Sequence, residues 1–259
     1  MTAAYPERVR LDGRGMVVLG AGQGIGEQVA HALSEAGARV LCVDRDDALA
    51  RSVAEAVGGE PWTADITNRA GMTSVFDHAE ALFGDQFSGL VDVVGVALVK
   101  PFAEIDDATY EQQLDLVLRH GFLAMQIGGA RLAARGGGAM TFIGSISGTR
   151  SFAGQAVYGA AKAALHHLVR CAAHEFGPSG VRVNAVSPSY VRTPRLNARL
   201  PADTWERIGQ AIPLRRVGEP SDVAATTLFL QSDLAAYVTG NVLDLDGGVN
   251  AVAALPPPF

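Results

Sequence analysis

The chain has 259 residues, 48% of them hydrophobic and 19% charged, with a formal net charge of −6. That apolar content supports a large core and excludes a disordered chain, while the acidic balance argues against nucleic acid as the main partner. Two cysteines, Cys42 and Cys171, exclude a disulfide scaffold and a cysteine-rich zinc site, and both read as buried, reduced thiols.

Glu7, Arg8, Arg10, Asp12 and Arg14 crowd the start of the chain, and no apolar h-region accompanies them. No stretch approaches about 18 uninterrupted apolar residues. The expectation is a soluble, cytoplasmic protein without a membrane partner.

Apolar runs then alternate with helical patterns. Residues 16–20 predict a strand, and Ile25, Val29, Ala32, Leu33 and Ala36 mark a helix over 24–36 that stops at Gly37. A second strand is predicted over 39–43, a helix over 46–57, a third strand near 60–64, and a helix over 68–83 with Asn68 as its N-cap. A fourth strand is expected over 89–96, then one long helix or two in series over 106–135, and a fifth strand over 139–143. A helix over 155–176, a sixth strand over 181–186, a helix over 219–231 and a seventh strand over 241–245 complete the pattern. Short strands that are apolar on both faces and joined by helices predict a single-domain, doubly wound α/β fold, with about seven parallel strands and helices on both faces. Residues 187–216 are the longest irregular stretch, with Pro188, Pro194, Pro201 and Pro213 and one short helix near 203–210. Such an insertion reads as a substrate lid. The Pro-rich end, 250–259, reads as a tail.

Two constellations carry chemistry. Gly20-Ala21-Gly22-Gln23-Gly24-Ile25-Gly26 joins the first strand to the first helix, where glycines let backbone N–H groups approach a pyrophosphate. Asp44 follows the second strand, and a carboxylate there can accept hydrogen bonds from ribose hydroxyls and repel a 2′-phosphate. Arg45 beside it favours the phosphate instead. Asp44 weighs more, so NAD is expected over NADP. Tyr158 and Lys162 lie one helical turn apart, and a cation so placed is expected to lower the phenol pKa from near 10. Ser145 follows the fifth strand at the C-terminal sheet edge, where its hydroxyl can meet a substrate oxygen. His166, His167 and His174 read as structural or surface residues, and no metal site is expected. Arg192, Arg195 and Arg199 read either as an anion-recognising group or as a solvated loop. Ser147, Phe152, Gln155, Tyr190 and Leu196 flank the expected pocket.

These segments resemble the short-chain dehydrogenase/reductase family over almost the whole chain. Besides Gly20–Gly26 and Asp44, the likeness rests on Asp65-Ile66, Gly144-Ser145-Ile146-Ser147-Gly148, Tyr158-Gly159-Ala160-Ala161-Lys162, Arg182-Val183-Asn184-Ala185-Val186-Ser187-Pro188 and Asp244-Leu245-Asp246-Gly247-Gly248. The resemblance implies a NAD(P)-dependent oxidoreductase of small-molecule alcohols and ketones that assembles as a homotetramer or homodimer. It implies Tyr158 as general acid/base, Lys162 as its pKa-lowering partner and nicotinamide-ribose ligand, and Ser145 as the residue positioning the substrate oxygen. Asp65 and Ile66 would contact the adenine. Val191 and Thr193 would hold the carboxamide end of the nicotinamide, with Gly95 and Pro188 also at the cofactor.

Departures from the family pattern are equally specific. Asp92-Val93-Val94-Gly95 stands where the family has Asn-Asn-Ala-Gly, Leu19 replaces a Thr, and Ser189 replaces a Gly. Val117 stands at the position of the family's catalytic Asn and cannot organise a proton-relaying water. Arg119 and His120 beside it read as an exposed polar face. The alternative to a dehydrogenase is therefore a cofactor-binding protein with impaired or no catalysis.

Overall fold

The computed structural model describes residues 4–252. Its centre is one seven-stranded, all-parallel sheet of order β3-β2-β1-β4-β5-β6-β7. In chain order the elements are β1 (Gly15–Leu19), α1 (Ile25–Glu35), β2 (Arg39–Asp44), α2 (Asp47–Val57), β3 (Glu60–Thr63), α3 (Arg69–Phe83) and β4 (Phe87–Asp92). They continue with α4 (Asp107–Leu114), a π-helical turn (Asp115–Arg119), α5 (His120–Ala134), β5 (Gly138–Ile143), α6 (Ala156–Phe176) and β6 (Val181–Pro188). Last come α7 (Pro194–Asn197), α8 (Ala202–Ala211), α9 (Pro220–Gln231) and β7 (Val242–Leu245).

Strand alternation sorts the core into two layers. On one face Val17, Leu19, Leu90, Met140 and Phe142 meet Phe76 of α3, Leu132 of α5 and Val169 of α6. On the other, Met16, Val18, Val40 and Val91 meet Val29 and Leu33 of α1, Val53 of α2 and Ala224 of α9. Each fully buried side chain of this size contributes about 1.5–3 kcal/mol, which holds the strand ends, and with them the site, in fixed register.

Several boundaries differ from the sequence pattern. The fourth strand starts at Phe87 and stops at Asp92, not over 89–96: Asp92 turns its Oδ1 back to accept from Val94 N at 3.0 Å, which bends the chain out of the sheet. The helix expected over 106–135 is α4 and α5 joined through the π turn. The lid stretch holds α7 as well as the expected short helix. Cys42 is buried, and burial pushes its thiol up to about 12, whereas Cys171 is only half-buried. The tail expected over 250–259 lies, from residue 253 on, outside the described residues.

Asn68 caps α3 as its position predicts. Its Oδ1 accepts from Gly71 N at 2.9 Å, and its Nδ2 donates to the Asp65 carboxylate at 3.1 Å. Removing an Asn cap costs about 1 kcal/mol, up to about 2. Asn68→Ala is therefore expected to lower the urea unfolding free energy by that amount at unchanged m-value.

Candidate active site

Four loops at the C-terminal edge of the sheet converge on a cleft of about 510 Å³. Ser145, Tyr158 and Lys162 share it with Ile25, Gly95, Pro188, Tyr190, Val191 and Thr193. Ser147, Phe152, Gln155 and Leu196, expected at the pocket, line it too. Ser147 Oγ donates to Gln155 Oε1 at 2.8 Å, so these two present one joined polar spot to the cleft.

β5 and α6 hold the three central groups. Ser145 Oγ accepts from Ser147 N at 3.1 Å, which leaves its hydroxyl hydrogen to serve the Tyr158 phenol oxygen. Lys162 is buried, and its Nζ donates to the Ile143 carbonyl at 2.7 Å. Burial pushes the Lys162 amine down to about 8, against a pull upward from the Asp92 carboxylate. Its Nζ lies 5.8 Å from the Tyr158 ring centroid. The Tyr158 phenol is held above its ordinary value, the reverse of the sequence expectation. Burial penalises the phenolate and outweighs the hydrogen bond with Ser145, and the Lys162 ammonium is aimed at a carbonyl, not at the phenol.

The glycine turn fits a dinucleotide cradle. Gly24 has φ +62°, a left-handed backbone, and a Cβ on Gly26 would stand 2.0 Å from the Gly20 carbonyl oxygen, so α1 begins against bare backbone. Asp44 Oδ2 accepts from Gly22 N at 3.0 Å and Oδ1 from Asp46 N at 3.1 Å, which fixes a carboxylate beside the turn. Gly20, Gly22, Gln23, Gly24 and Gly26, with Asp44 and Arg45, thus sit around the first loop and the end of β2, beside the cleft and outside its lining. Asp65 is already engaged: its Oδ1 accepts from Thr67 N at 3.0 Å and Thr67 Oγ1 at 2.6 Å. These bonds hold its carboxyl below the usual range. Ile66 is buried in the core beside it. Thr193 Oγ1 caps α7, accepting from Leu196 N at 3.4 Å.

Arg195 and Arg199, which the sequence left as either an anion-recognising group or a solvated loop, both line the cleft, together with Leu200 and residues Val96, Ala97 and Val99 of the loop after β4. One feature escaped the sequence pattern. His120 is buried, at 1% exposure, where an exposed polar face was expected, and its Nδ1 lies 2.8 Å from Asp92 Oδ2. The π turn explains the difference. Its extra residue rotates α5 relative to α4, so that Arg119 stays outside and pairs with Asp115 while His120 turns inward. No sequence signal announces the buried His–Asp pairing, because the apolar run through residue 96 hides the acid that ends β4. Among the described residues no cluster of three or more His, Cys, Asp or Glu side chains is arranged to hold a metal, and no helix is long and apolar enough to cross a membrane.

A parallel sheet whose first loop is a glycine cradle, with a Ser, a Tyr and a Lys meeting at its C-terminal edge, defines a dinucleotide-dependent oxidoreductase. Comparison with known proteins gives the family. A family model described as enoyl-(acyl carrier protein) reductase matches residues 20–250. The chain is 39% identical to galactitol 2-dehydrogenase (L-tagatose-forming) of Cereibacter sphaeroides, over 94% of this chain and 98% of that protein. It is 37% identical to cis-4-hydroxycyclohexanecarboxylate dehydrogenase of Sinomonas cyclohexanicum, over 97% and 100%. A solved structure of 7α-hydroxysteroid dehydrogenase complexed with NADH and 7-oxo glycochenodeoxycholic acid superposes with a TM-score of 0.89 at 30% identity, covering 95% of this chain and 98% of that one. The chain belongs to the short-chain dehydrogenase/reductase family. It is an oxidoreductase of the alcohol–ketone type, and its family binds a nicotinamide dinucleotide.

Proposed function

We propose that this protein is a NAD-dependent dehydrogenase that interconverts a small-molecule secondary alcohol and its ketone, with Tyr158 as general acid/base. The observation that carries the reading is the meeting of Ser145, Tyr158 and Lys162 in one cleft. The nicotinamide, when bound, supplies or accepts the hydride. Ser145 turns its hydroxyl hydrogen from the Tyr158 phenol to the substrate oxygen. Tyr158 holds a proton at neutral pH, because burial keeps its phenol above the ordinary value, and gives it to the developing alkoxide. In the other direction the phenolate must form first, so alcohol oxidation is expected to accelerate as pH rises above neutral, while ketone reduction, which needs the protonated phenol, holds level until the pH passes the ordinary phenol range. Val96, Ala97, Phe152, Leu196 and Leu200 exclude water around the reacting carbon. Residues 187–216 serve as the lid, since β6, α7 and the segment between them supply much of the cleft wall.

The dinucleotide cradle supports NAD through Asp44. Its carboxylate is tethered to the turn at Gly22, where it accepts ribose hydroxyls and repels a 2′-phosphate. Losing a charge-assisted pair of hydrogen bonds costs about 1.5–3 kcal/mol, so Asp44→Ser is expected to weaken NADH binding about 10- to 100-fold and to improve NADPH binding. Titrations followed by nicotinamide fluorescence check both. Assembly as a homotetramer is part of the same reading, supported by the exposed Tyr110 and Phe122 on α4 and α5.

Val117 favours a second reading. It is fully buried and apolar, and it offers no polar atom to a proton relay. On that reading the protein binds the dinucleotide without efficient turnover. A panel of secondary alcohols and ketones, followed at the nicotinamide absorbance, separates the two: a pure binder shows no change with any member.

A further inference from the structure

Buried ionisable groups that do not themselves meet the cleft are few, and one pair lies directly behind Lys162. Asp92 closes β4, 2% exposed, in register with Phe142 of β5. The next residue of β5, Ile143, provides the carbonyl that receives Lys162 Nζ at 2.7 Å. Both Asp92 oxygens are held. Oδ1 accepts from Val94 N at 3.0 Å, and Oδ2 accepts from His120 Nδ1 at 2.8 Å. His120 in turn points its Nε2 at the Leu116 carbonyl of the π turn, 3.2 Å away. The bend that Asp92 imposes on residues 93–95 brings the backbone down onto the lysine: a Cβ on Gly95 would stand 2.9 Å from Lys162 Nζ.

We propose that Asp92 and His120 form a buried positioning pair that keeps the Lys162 amine charged and aimed at the Ile143 carbonyl. The physical need is plain. A lysine without exposure loses its proton readily unless an anion stands near. Asp92 is that anion. The amine gives its hydrogen bond to the Ile143 carbonyl and none to Asp92, so the carboxylate acts through space and through the bend it anchors. His120 completes the hydrogen bonding of that buried carboxylate, holding Oδ2 as Val94 N holds Oδ1, and so fixes where its charge stands relative to Lys162. The groups that face Lys162 are Tyr158 and His166 on its own helix, Asp92 from β4, and His120 through Asp92. His166 is pushed down to about 4 by burial first and by Lys162 second, so it stays neutral across the working range and does not compete.

This inference rests on Lys162 serving the dehydrogenase site, and it can be tested without turnover. The chain contains just two lysines, Lys100 and Lys162. The folded protein labelled with [13Cε]lysine therefore shows two signals, assigned by Lys100→Arg. In the unaltered protein the Lys162 signal is expected to titrate near 8, and a midpoint below about 6, where unpaired buried lysines fall, would overturn the proposal with no variant needed. Asp92→Asn is expected to lower that midpoint by about one unit or more. His120→Leu is expected to lower it in the same direction, while His120→Asn, which keeps a donor towards Oδ2, restores it. An unchanged midpoint in Asp92→Asn sinks the idea, and a shift in Asp92→Asn with none in His120→Leu removes His120 from it. Lost turnover with an unmoved Lys162 signal overturns this inference and leaves the dehydrogenase reading intact. Absence of turnover in a protein whose lysine shifts as stated overturns only the dehydrogenase reading.

Discussion

Tyr158→Phe is expected to retain nicotinamide dinucleotide binding and to lose activity by about 10²- to 10⁴-fold, the range a positioned acid–base group supplies. The ring remains and keeps its packing in the cleft, so only the phenol oxygen and its proton are removed. Substrate oxygen is then met by the Ser145 hydroxyl alone, which donates a hydrogen bond and has no base of its own to recover the proton: its oxygen is occupied by Ser147 N at 3.1 Å. Loss should appear in kcat, with little change in the KM for the dinucleotide. Steady-state rates with a responsive alcohol–ketone pair, alongside a fluorescence titration with NADH, check both halves. An active Tyr158→Phe enzyme would place the proton on another group.

Gly26→Ala should be the more damaging change for binding. A methyl group there would stand 2.0 Å from the Gly20 carbonyl oxygen and 2.9 Å from Ala21 Cα, and backbone atoms cannot rotate away as a flexible side chain does. The turn must open, which costs about 1–3 kcal/mol of folding stability. On the dinucleotide reading proposed above, opening it also separates the α1 N-terminus from the loop that would receive the pyrophosphate. If about 3 kcal/mol is lost from the bound geometry, affinity for NADH falls about 100-fold. The control is Gly177→Ala, at a position with open space around it and an ordinary negative φ of −52°. Urea unfolding and NADH titration of the two variants should diverge on both measures.

The contrast between these positions shows what a linear chain can and cannot disclose. The placement of Gly20–Gly26, Asp44, Tyr158 and Lys162 was legible because it depends on local spacing. A turn of glycines before an amphipathic helix, or two residues one helical turn apart, keeps its geometry whatever surrounds it. Asn68 was legible as a cap for the same reason. The alternation of apolar runs and helical periods likewise leads to a parallel, doubly wound sheet, since strands buried on both faces need helices on both.

His120 could not be read this way. Its direction depends on a π turn in the preceding residues, and one residue more per turn rotates everything after it. Position 120 therefore faces Asp92 instead of solvent. Nor could the bend at Asp92 be foreseen, because an apolar run through residue 96 looks like continuing strand until the carboxylate turns back on Val94. The direction of the Tyr158 pKa is of the same kind. Spacing puts a lysine nearby, but only the packed structure shows its ammonium bonded to the Ile143 carbonyl and the phenol half-buried. The amino-acid order thus determined the elements, the glycine turn and the pairing of Tyr158 with Lys162 on one helix face, all set by distances of a few residues. Tertiary structure alone decided which groups lose water and which charge faces which, because desolvation and through-space electrostatics belong to neighbours brought together from distant parts of the chain.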